Sequence, residues 1–124
     1  TLQTAIELYY SDNQSYPNTN SQWWAESPGY GSHPLTGVNG WIPNLAPTFI
    51  GQLPHDTYSG QDRTSFHPAC IPRDVYWFYI SNGTDYKLSA YCIVEYIVPP
   101  TDTFYDPRWV GISLSVFTPG ATNW

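Results

Sequence analysis

The chain has 124 residues, of which 11% are charged and 18% are aromatic, and it contains twelve prolines and nine glycines. This length suits one domain with its own core, and the many prolines and glycines are typical of a loop-rich extracellular domain that contains a sheet. Ten acidic residues against four basic ones give a formal charge of −6. Nucleic-acid binding is therefore disfavoured, because it needs a basic surface.

The first thirteen residues predict an amphipathic helix that is followed by a clear stop. Its apolar side chains recur at positions i, i+3, i+4 and i+7 and form a stripe along one side: Leu2, Ala5, Ile6 and Tyr9. Pro17 ends the pattern, because the residue before a proline is pushed towards extended backbone geometry. No cap with an acidic first turn and no proline marks the beginning, so we expect this helix to be the end of a longer one.

Residues 14–74 predict a long connecting region, since glycine and proline recur there without helical or strand periodicity. Four of its aromatic residues are candidates for surface binding: Trp23, Trp24, Tyr30 and Trp41. On exposed loops such rings can form a platform on which sugar rings stack. The alternative is that they pack over the helix end and the sheet edge as part of the core.

Residues 75–117 predict an antiparallel sheet. The first strand is predicted by a β-branched and aromatic run at 75–80. A hairpin turn and a second strand at 85–97 follow it, and a third strand is predicted at 109–117. The helix stripe is expected to cover the apolar face of the second strand, formed by Leu88, Ala90 and Cys92. The predicted fold class is α+β: an N-terminal helix on a small antiparallel sheet of three or four strands, with long loops, in one domain over residues 1–124.

Alternation along the strands also defines the opposite face of the sheet. On the second strand Lys87, Ser89 and Tyr91 lie opposite the predicted core face. The third strand alternates between an apolar set, Val110, Ile112, Leu114 and Val116, and a small or polar set, Gly111, Ser113 and Ser115. We therefore expect one side of the third strand to lie in water.

Cys70 and Cys92 are the only cysteines. A zinc site is disfavoured, because no further cysteine and no pair of suitably spaced histidines accompanies them. In an exported protein the two would form a disulfide that stabilises the fold by on the order of 3 kcal/mol. In a cytosolic protein they would instead be two buried free thiols.

Three segments resemble type IV pilins and the pseudopilins of type II secretion. Residues 2–17 resemble the end of the long N-terminal helix of that family. Residues 45–56 resemble its Tyr-Ile-x-x-Leu-Pro-x-Asp-Pro element, with Thr57 in place of the second proline, and residues 76–88 resemble its first sheet hairpin. The segments follow the family's order and cover about the first three quarters of the chain.

The resemblance implies a structural role in a filament. It implies a subunit of an extracellular type IV pilus or pseudopilus, which assembles with copies of itself through an upstream hydrophobic helix. That helix would first anchor the subunit in the membrane, in contact with the inner-membrane assembly machinery. Some pseudopilins bind calcium in a C-terminal loop, where Asp102 and Asp106 stand here, but two acids without a third oxygen-rich position fall short of such a site. We expect no cofactor.

A secreted carbohydrate-binding or adhesive module is the alternative, with Trp23, Trp24 and Tyr30 as its binding face. The sequence has no nucleophile motif, no phosphate-binding glycine loop and no metal-ligand spacing. We therefore expect no enzymatic activity.

Overall fold

One helix and a three-stranded antiparallel sheet form the regular part of the computed structural model, which describes residues 1–124. The helix is α1 (Leu2–Asn13), and the strands, adjacent in chain order, are β1 (Tyr76–Ser81), β2 (Tyr86–Tyr91) and β3 (Ser113–Phe117). The predicted α+β class, with an N-terminal helix and a three-stranded antiparallel sheet, is confirmed. None of the helical segments has the length and apolar character needed to cross a bilayer.

Helix α1 ends where the backbone turns into the left-handed region at Gln14, with a φ of 56°. The Gln14 N–H donates to the Tyr10 carbonyl oxygen at 2.8 Å, and the Asn13 side-chain amide donates to the Tyr9 carbonyl oxygen at 2.9 Å. These bonds satisfy carbonyl groups of the last turn that would otherwise have no hydrogen-bond donor. The chain then passes through Pro17 to the edge of β1.

The first face of the sheet is covered by α1 together with part of the connecting region. Leu2, Ala5 and Ile6 of the helix are buried there against Leu88 of β2, and Tyr9 packs at the edge of the cluster. The loop contributes the remaining wall with Trp41, Ile42, Leu45, Ala46 and Leu53. A single short helix cannot cover a sheet face, so the loop supplies the missing apolar surface.

A second, smaller apolar cluster surrounds the Cys70–Cys92 disulfide, which confirms the oxidised alternative for the two cysteines. Ala90 belongs to this cluster, whereas the sequence placed it under the helix stripe with Leu88. Arg63 binds the backbone that follows β2, since its guanidinium donates to the carbonyl oxygens of Cys92 at 2.5 Å and Val94 at 2.7 Å. The disulfide and Arg63 together hold the connecting loop against the end of β2.

The predicted ends of the second and third strands are wrong. Strand β2 ends at Tyr91 rather than at residue 97, because Cys92 adopts a left-handed backbone conformation with a φ of 60°. Strand β3 begins at Ser113 rather than at residue 109. Residues 92–112 form a folded-back loop whose ends meet through the Cys92 N–H and the Ile112 carbonyl oxygen at 2.8 Å.

The prediction of a wet side on β3 is also wrong. Ser113 and Ser115 are 0% and 4% exposed, whereas Val110 of the predicted apolar set is 63% exposed. The loop 92–112 and the C-terminal segment fold over this second face of the sheet, and they bury Lys87 and Ser89 of β2 as well. The sheet is thus covered on both sides, by apolar packing on one and by a largely polar layer on the other.

Candidate functional site

A cleft of about 310 Å³ opens on the second face of the sheet. Its floor is formed by strands β1 and β2, and its walls come from the loop around residues 23–30 and the loop around residues 106–109. Five aromatic side chains line it: Trp23, Tyr30, Phe78, Tyr91 and Trp109. Three polar side chains complete the lining: Asp74, Ser89 and Arg108. Aromatic walls with a few polar groups are typical of small-ligand sites.

The aromatic rings are held by near-perpendicular contacts centred on Phe78. Its ring centroid lies 4.7 Å from that of Tyr30 and 6.1 Å from that of Tyr91, with interplanar angles of 88° and 89°. Trp23 contacts Phe78 at 6.2 Å, and Trp109 contacts Tyr91 at 5.4 Å. Such edge-to-face pairs are the preferred geometry of aromatic contacts. They orient four partly exposed rings around a buried central one.

Asp74 provides the carboxylate of the cleft. The Tyr30 hydroxyl and the Arg73 Nε–H both donate to the same oxygen, Oδ1, at 3.1 and 3.4 Å, which leaves Oδ2 free to accept from a ligand. Burial raises the pKa of Tyr30 and of Tyr91, and the nearby Asp74 charge raises both further. Both phenol groups are therefore protonated donors at neutral pH.

Arg108 provides the cation of the cleft. One of its terminal nitrogens, Nη1, donates to the Asn123 carbonyl oxygen at 3.0 Å. Its guanidinium carbon lies 4.9 Å from the centre of the Trp109 ring, within the range of a cation–π contact. The guanidinium makes no other hydrogen bond within the protein, and the residue is exposed.

A buried ion pair lies beneath this polar layer. The Lys87 ammonium donates to Asp106 Oδ1 at 2.9 Å, and both side chains are 0% exposed. The same ammonium donates to the carbonyl oxygens of Thr122 at 3.3 Å and Trp124 at 3.0 Å. Burial lowers the pKa of Lys87, and the Asp106 carboxylate opposes that shift. All three ammonium hydrogens thus have acceptors, as a buried charge requires.

Asp106 also connects the ion pair to the cleft. Its Oδ2 accepts from the Ser115 hydroxyl at 2.6 Å, so the Ser89 hydroxyl, 2.7 Å from Ser115 Oγ, donates in turn to Ser115. Its Oδ1 accepts from the backbone N–H groups of Arg108 at 2.9 Å and Trp109 at 3.4 Å. One buried carboxylate therefore fixes the turn that presents Arg108 and Trp109 to the cleft.

The candidate surface residues separate into three environments. Trp23 and Tyr30 line the cleft. Trp24 lies outside it, stacked on the His33 ring at 3.9 Å, while its backbone pairs with Tyr79. Trp41 is fully buried in the helix-side core and stacks near Trp77, so its assignment to a binding surface is wrong. The alternative that some of these aromatics pack as core holds for Trp41.

The two calcium candidates are used within the protein. Asp106 pairs with Lys87, so an ammonium already occupies the place beside its carboxylate. Asp102 accepts from the Tyr96 hydroxyl at 3.0 Å and from the Phe104 N–H at 2.9 Å. The structure contains no cluster of three or more His, Cys, Asp or Glu side chains that could hold a metal ion.

Most of the cleft was missed by the sequence analysis. Phe78, Ser89 and Tyr91 share the face opposite the helix, because Phe78 pairs with Ser89 and Tyr91 lies two residues further along β2. Strand alternation alone could have grouped these three. Asp74 lies just before β1, at the end of a short 3₁₀ turn, whereas Trp109 comes from the distant 92–112 loop, and no spacing rule joins it to β1 and β2.

An apolar groove of about 260 Å³ lies on the first face, at the beginning of α1. Its apolar lining comes from the helix, the sheet and the 92–112 loop: Leu2, Trp77, Leu88, Phe104, Leu114 and Val116. The outward side of the helix carries one exposed aliphatic residue, Leu8, which is 52% exposed, whereas Tyr10 packs on the ring of Tyr16 at 4.6 Å. The groove shares no lining residue with the cleft.

Comparison with protein-family models, with curated proteins and with solved structures finds no significant match to this chain.

Proposed function

We propose that this chain is the globular domain of a structural subunit of an extracellular filament of the type IV pilus or pseudopilus kind. The observation that carries the proposal is the packing of α1, which is buried on one side and exposes one large aliphatic side chain, Leu8, on the other. In this proposal a hydrophobic helix precedes α1, and copies of the subunit associate through it.

The helix supports this proposal because only one of its sides is used within the domain. Leu2, Ala5 and Ile6 are buried against the sheet. Leu8 follows Ile6 by two positions, which places it about 200° around the helix axis, and it is 52% exposed. In the proposed filament this leucine would contact the helix of a neighbouring subunit.

The groove at the beginning of α1 supports it further. Its walls are apolar, and Thr1 and Leu2 lie at its edge. An apolar segment that enters α1 would pass beside Phe104, which is 47% exposed. Repetition of one head-to-tail contact along such helices produces an open helical polymer rather than a closed ring.

The disulfide supports the extracellular location. Cys70 and Cys92 are bonded, and structural disulfides form and persist mainly in oxidising compartments. The partners in this proposal are copies of the same subunit and, before assembly, the inner-membrane assembly machinery.

The test uses the complete gene, expressed with its native upstream sequence in its own cells. Antibodies against this domain should label filaments along their length in electron micrographs, and the sheared surface fraction should contain the protein.

Leu8→Asp should reduce the filament fraction at least about tenfold, because a charge would enter an apolar subunit contact. Val38→Asp is the matched control, since Val38 is a 64% exposed aliphatic residue outside the helix, and it should leave filaments unchanged. A protein found only as free monomers, with no labelled filaments, would overturn the proposal.

A further inference from the structure

We propose that the aromatic cleft on the second face of the sheet binds a ring of a neutral saccharide. Trp23, Tyr30 and Trp109 would contact the ring faces, while Asp74 and Arg108 would bind its hydroxyl groups. This site lies on the opposite side of the sheet from α1, so the inference does not depend on filament assembly.

The size and the walls of the cleft favour one sugar ring, together with parts of the sugar units bonded to it. Its volume of about 310 Å³ is at the lower end of the range for small-ligand sites. Trp23, Tyr30, Tyr91 and Trp109 are each partly exposed around the buried Phe78 ring. The C–H face of a pyranose ring is apolar and flat, and it packs well on such aromatic faces.

The polar groups of the cleft match hydroxyl groups, which both donate and accept hydrogen bonds. Asp74 offers a free Oδ2, because its protein donors both use Oδ1. Arg108 offers guanidinium N–H groups beyond the one that binds Asn123. The lining itself carries one carboxylate and one guanidinium, and the overall charge of −6 opposes an acidic glycan.

A proline-rich peptide is the other ligand class that aromatic grooves bind. Proline has no backbone N–H, so such a segment presents mainly carbonyl acceptors. Those acceptors would face the Asp74 carboxylate and leave its Oδ2 without a donor from the ligand. A saccharide satisfies the same carboxylate with its hydroxyl hydrogens.

The cleft is also rigid before any ligand enters it. Asp106 holds the backbone N–H groups of Arg108 and Trp109, and its own carboxylate is fixed by Lys87 and Ser115. The Tyr30 ring is held by Asp74 and by Phe78. Because these side chains need little further ordering, the entropic cost of binding is reduced.

Isothermal titration of the 124-residue chain with defined probes tests the inference. The probes are the neutral hexasaccharides of cellulose, chitin, β-mannan and α-glucan, an acidic hexasaccharide of polygalacturonate, and a proline-rich decapeptide. At least one neutral hexasaccharide should bind with a Kd below about 1 mM. Trp109→Ala and Asp74→Asn should each weaken that binding at least about tenfold, since one removes a stacking face and the other a charged acceptor.

Phe104→Ala is the matched control, because Phe104 is an exposed aromatic residue that lines the other groove. It should leave the Kd within about twofold. Asp74→Asn keeps the shape of the side chain, so it decides the outcome should Trp109→Ala unfold. Thermal melting of each variant separates lost binding from lost structure. The inference is overturned by no binding of any neutral hexasaccharide at about 10 mM, by binding that Asp74→Asn does not weaken, or by binding of the acidic saccharide or the peptide alone.

Discussion

The two faces of the sheet are buried by opposite means. On the first face Ile6 and Trp41 are fully buried in a continuous apolar cluster. On the second face Lys87 and Asp106 are equally inaccessible to water, yet they form an ion pair surrounded by serine hydroxyls and backbone carbonyls. The aromatic cleft opens only on this second face.

The difference shows that burial has two distinct consequences in one small domain. Apolar burial stabilises in proportion to the area removed from water. Burial of an ion pair adds little net stability, because desolvation of both charges offsets their attraction. What the pair does provide is position, since Asp106 also binds the backbone of Arg108 and Trp109. We infer that the first face stabilises the fold and that the second face positions the cleft.

The largest expected effect comes from removing one partner of the buried ion pair. Asp106→Ala would leave the Lys87 ammonium buried without its carboxylate, and we expect the free energy of unfolding to fall by about 4 kcal/mol. Urea unfolding at neutral pH measures this loss. Lys87→Met combined with Asp106→Leu should recover only part of it, because no charge is then left unpaired but the Ser115 hydroxyl and two backbone N–H groups still lose their acceptor. A loss below about 1 kcal/mol for Asp106→Ala would contradict a dry ion pair on the second face.

The next effect concerns the apolar face. Ile6→Ala should lower the free energy of unfolding by roughly 3 to 4 kcal/mol, because it leaves a cavity between helix and sheet. Leu8→Ala on the outer side of the same helix should change it by less than about 0.5 kcal/mol. Chemical denaturation of both variants compares the two sides of α1 directly. Similar losses from the two substitutions would show that the helix is not packed on one side only.

Reduction of the disulfide should have a slightly smaller effect. The bond joins residues separated by 22 positions in sequence, and its loss should lower the free energy of unfolding by about 3 kcal/mol, since the unfolded chain regains freedom. Unfolding with and without a strong reductant measures the difference. Cys70→Ala combined with Cys92→Ala is the control, and its stability should not respond to the reductant.

The smallest effect concerns Tyr79, whose buried hydroxyl donates to the Pro17 carbonyl oxygen at 2.9 Å. Tyr79→Phe should cost about 1 kcal/mol at neutral pH, the net value of one hydrogen bond. Burial raises the pKa of Tyr79 well above its ordinary value. The folded protein therefore keeps this proton when the unfolded chain releases it, and the free energy of unfolding falls as the pH rises above about 10.

Because Tyr79→Phe removes that proton, its stability should fall less steeply in alkaline solution than that of the unchanged protein. Urea unfolding at about pH 7 and pH 11 tests the slope. Tyr96→Phe is the control at neutral pH, since its exposed hydroxyl binds Asp102 at the surface, and its stability should stay within about 0.5 kcal/mol. A steeper alkaline loss for Tyr79→Phe would contradict the buried phenol.

Part of the cleft and most of the fold follow from local patterns. Apolar periodicity in residues 2–9 identifies the buried side of the helix, and the β-branched and aromatic residues of β1 identify the first hairpin. Trp23 and Tyr30 were candidates on composition alone, and both line the cleft. Phe78, Tyr91 and Trp109 were not, because a strand pattern places side chains on a face without saying what lies over that face.

The sequence by itself determined the α+β class, the helix stripe and the pair of cysteines, since each depends on residue type and on short, regular spacing. Only the tertiary structure decided that both faces of the sheet are buried, one by apolar side chains and the other by a largely polar layer. Alternation of serine and apolar residues in β3 predicts a wet side, yet Ser113 and Ser115 are buried. The reason is that the burial of this face depends on the ion pair between Lys87 and Asp106, which are nineteen residues apart in sequence. A buried lysine needs such a partner, and a contact between residues so far apart produces no periodic pattern in the sequence.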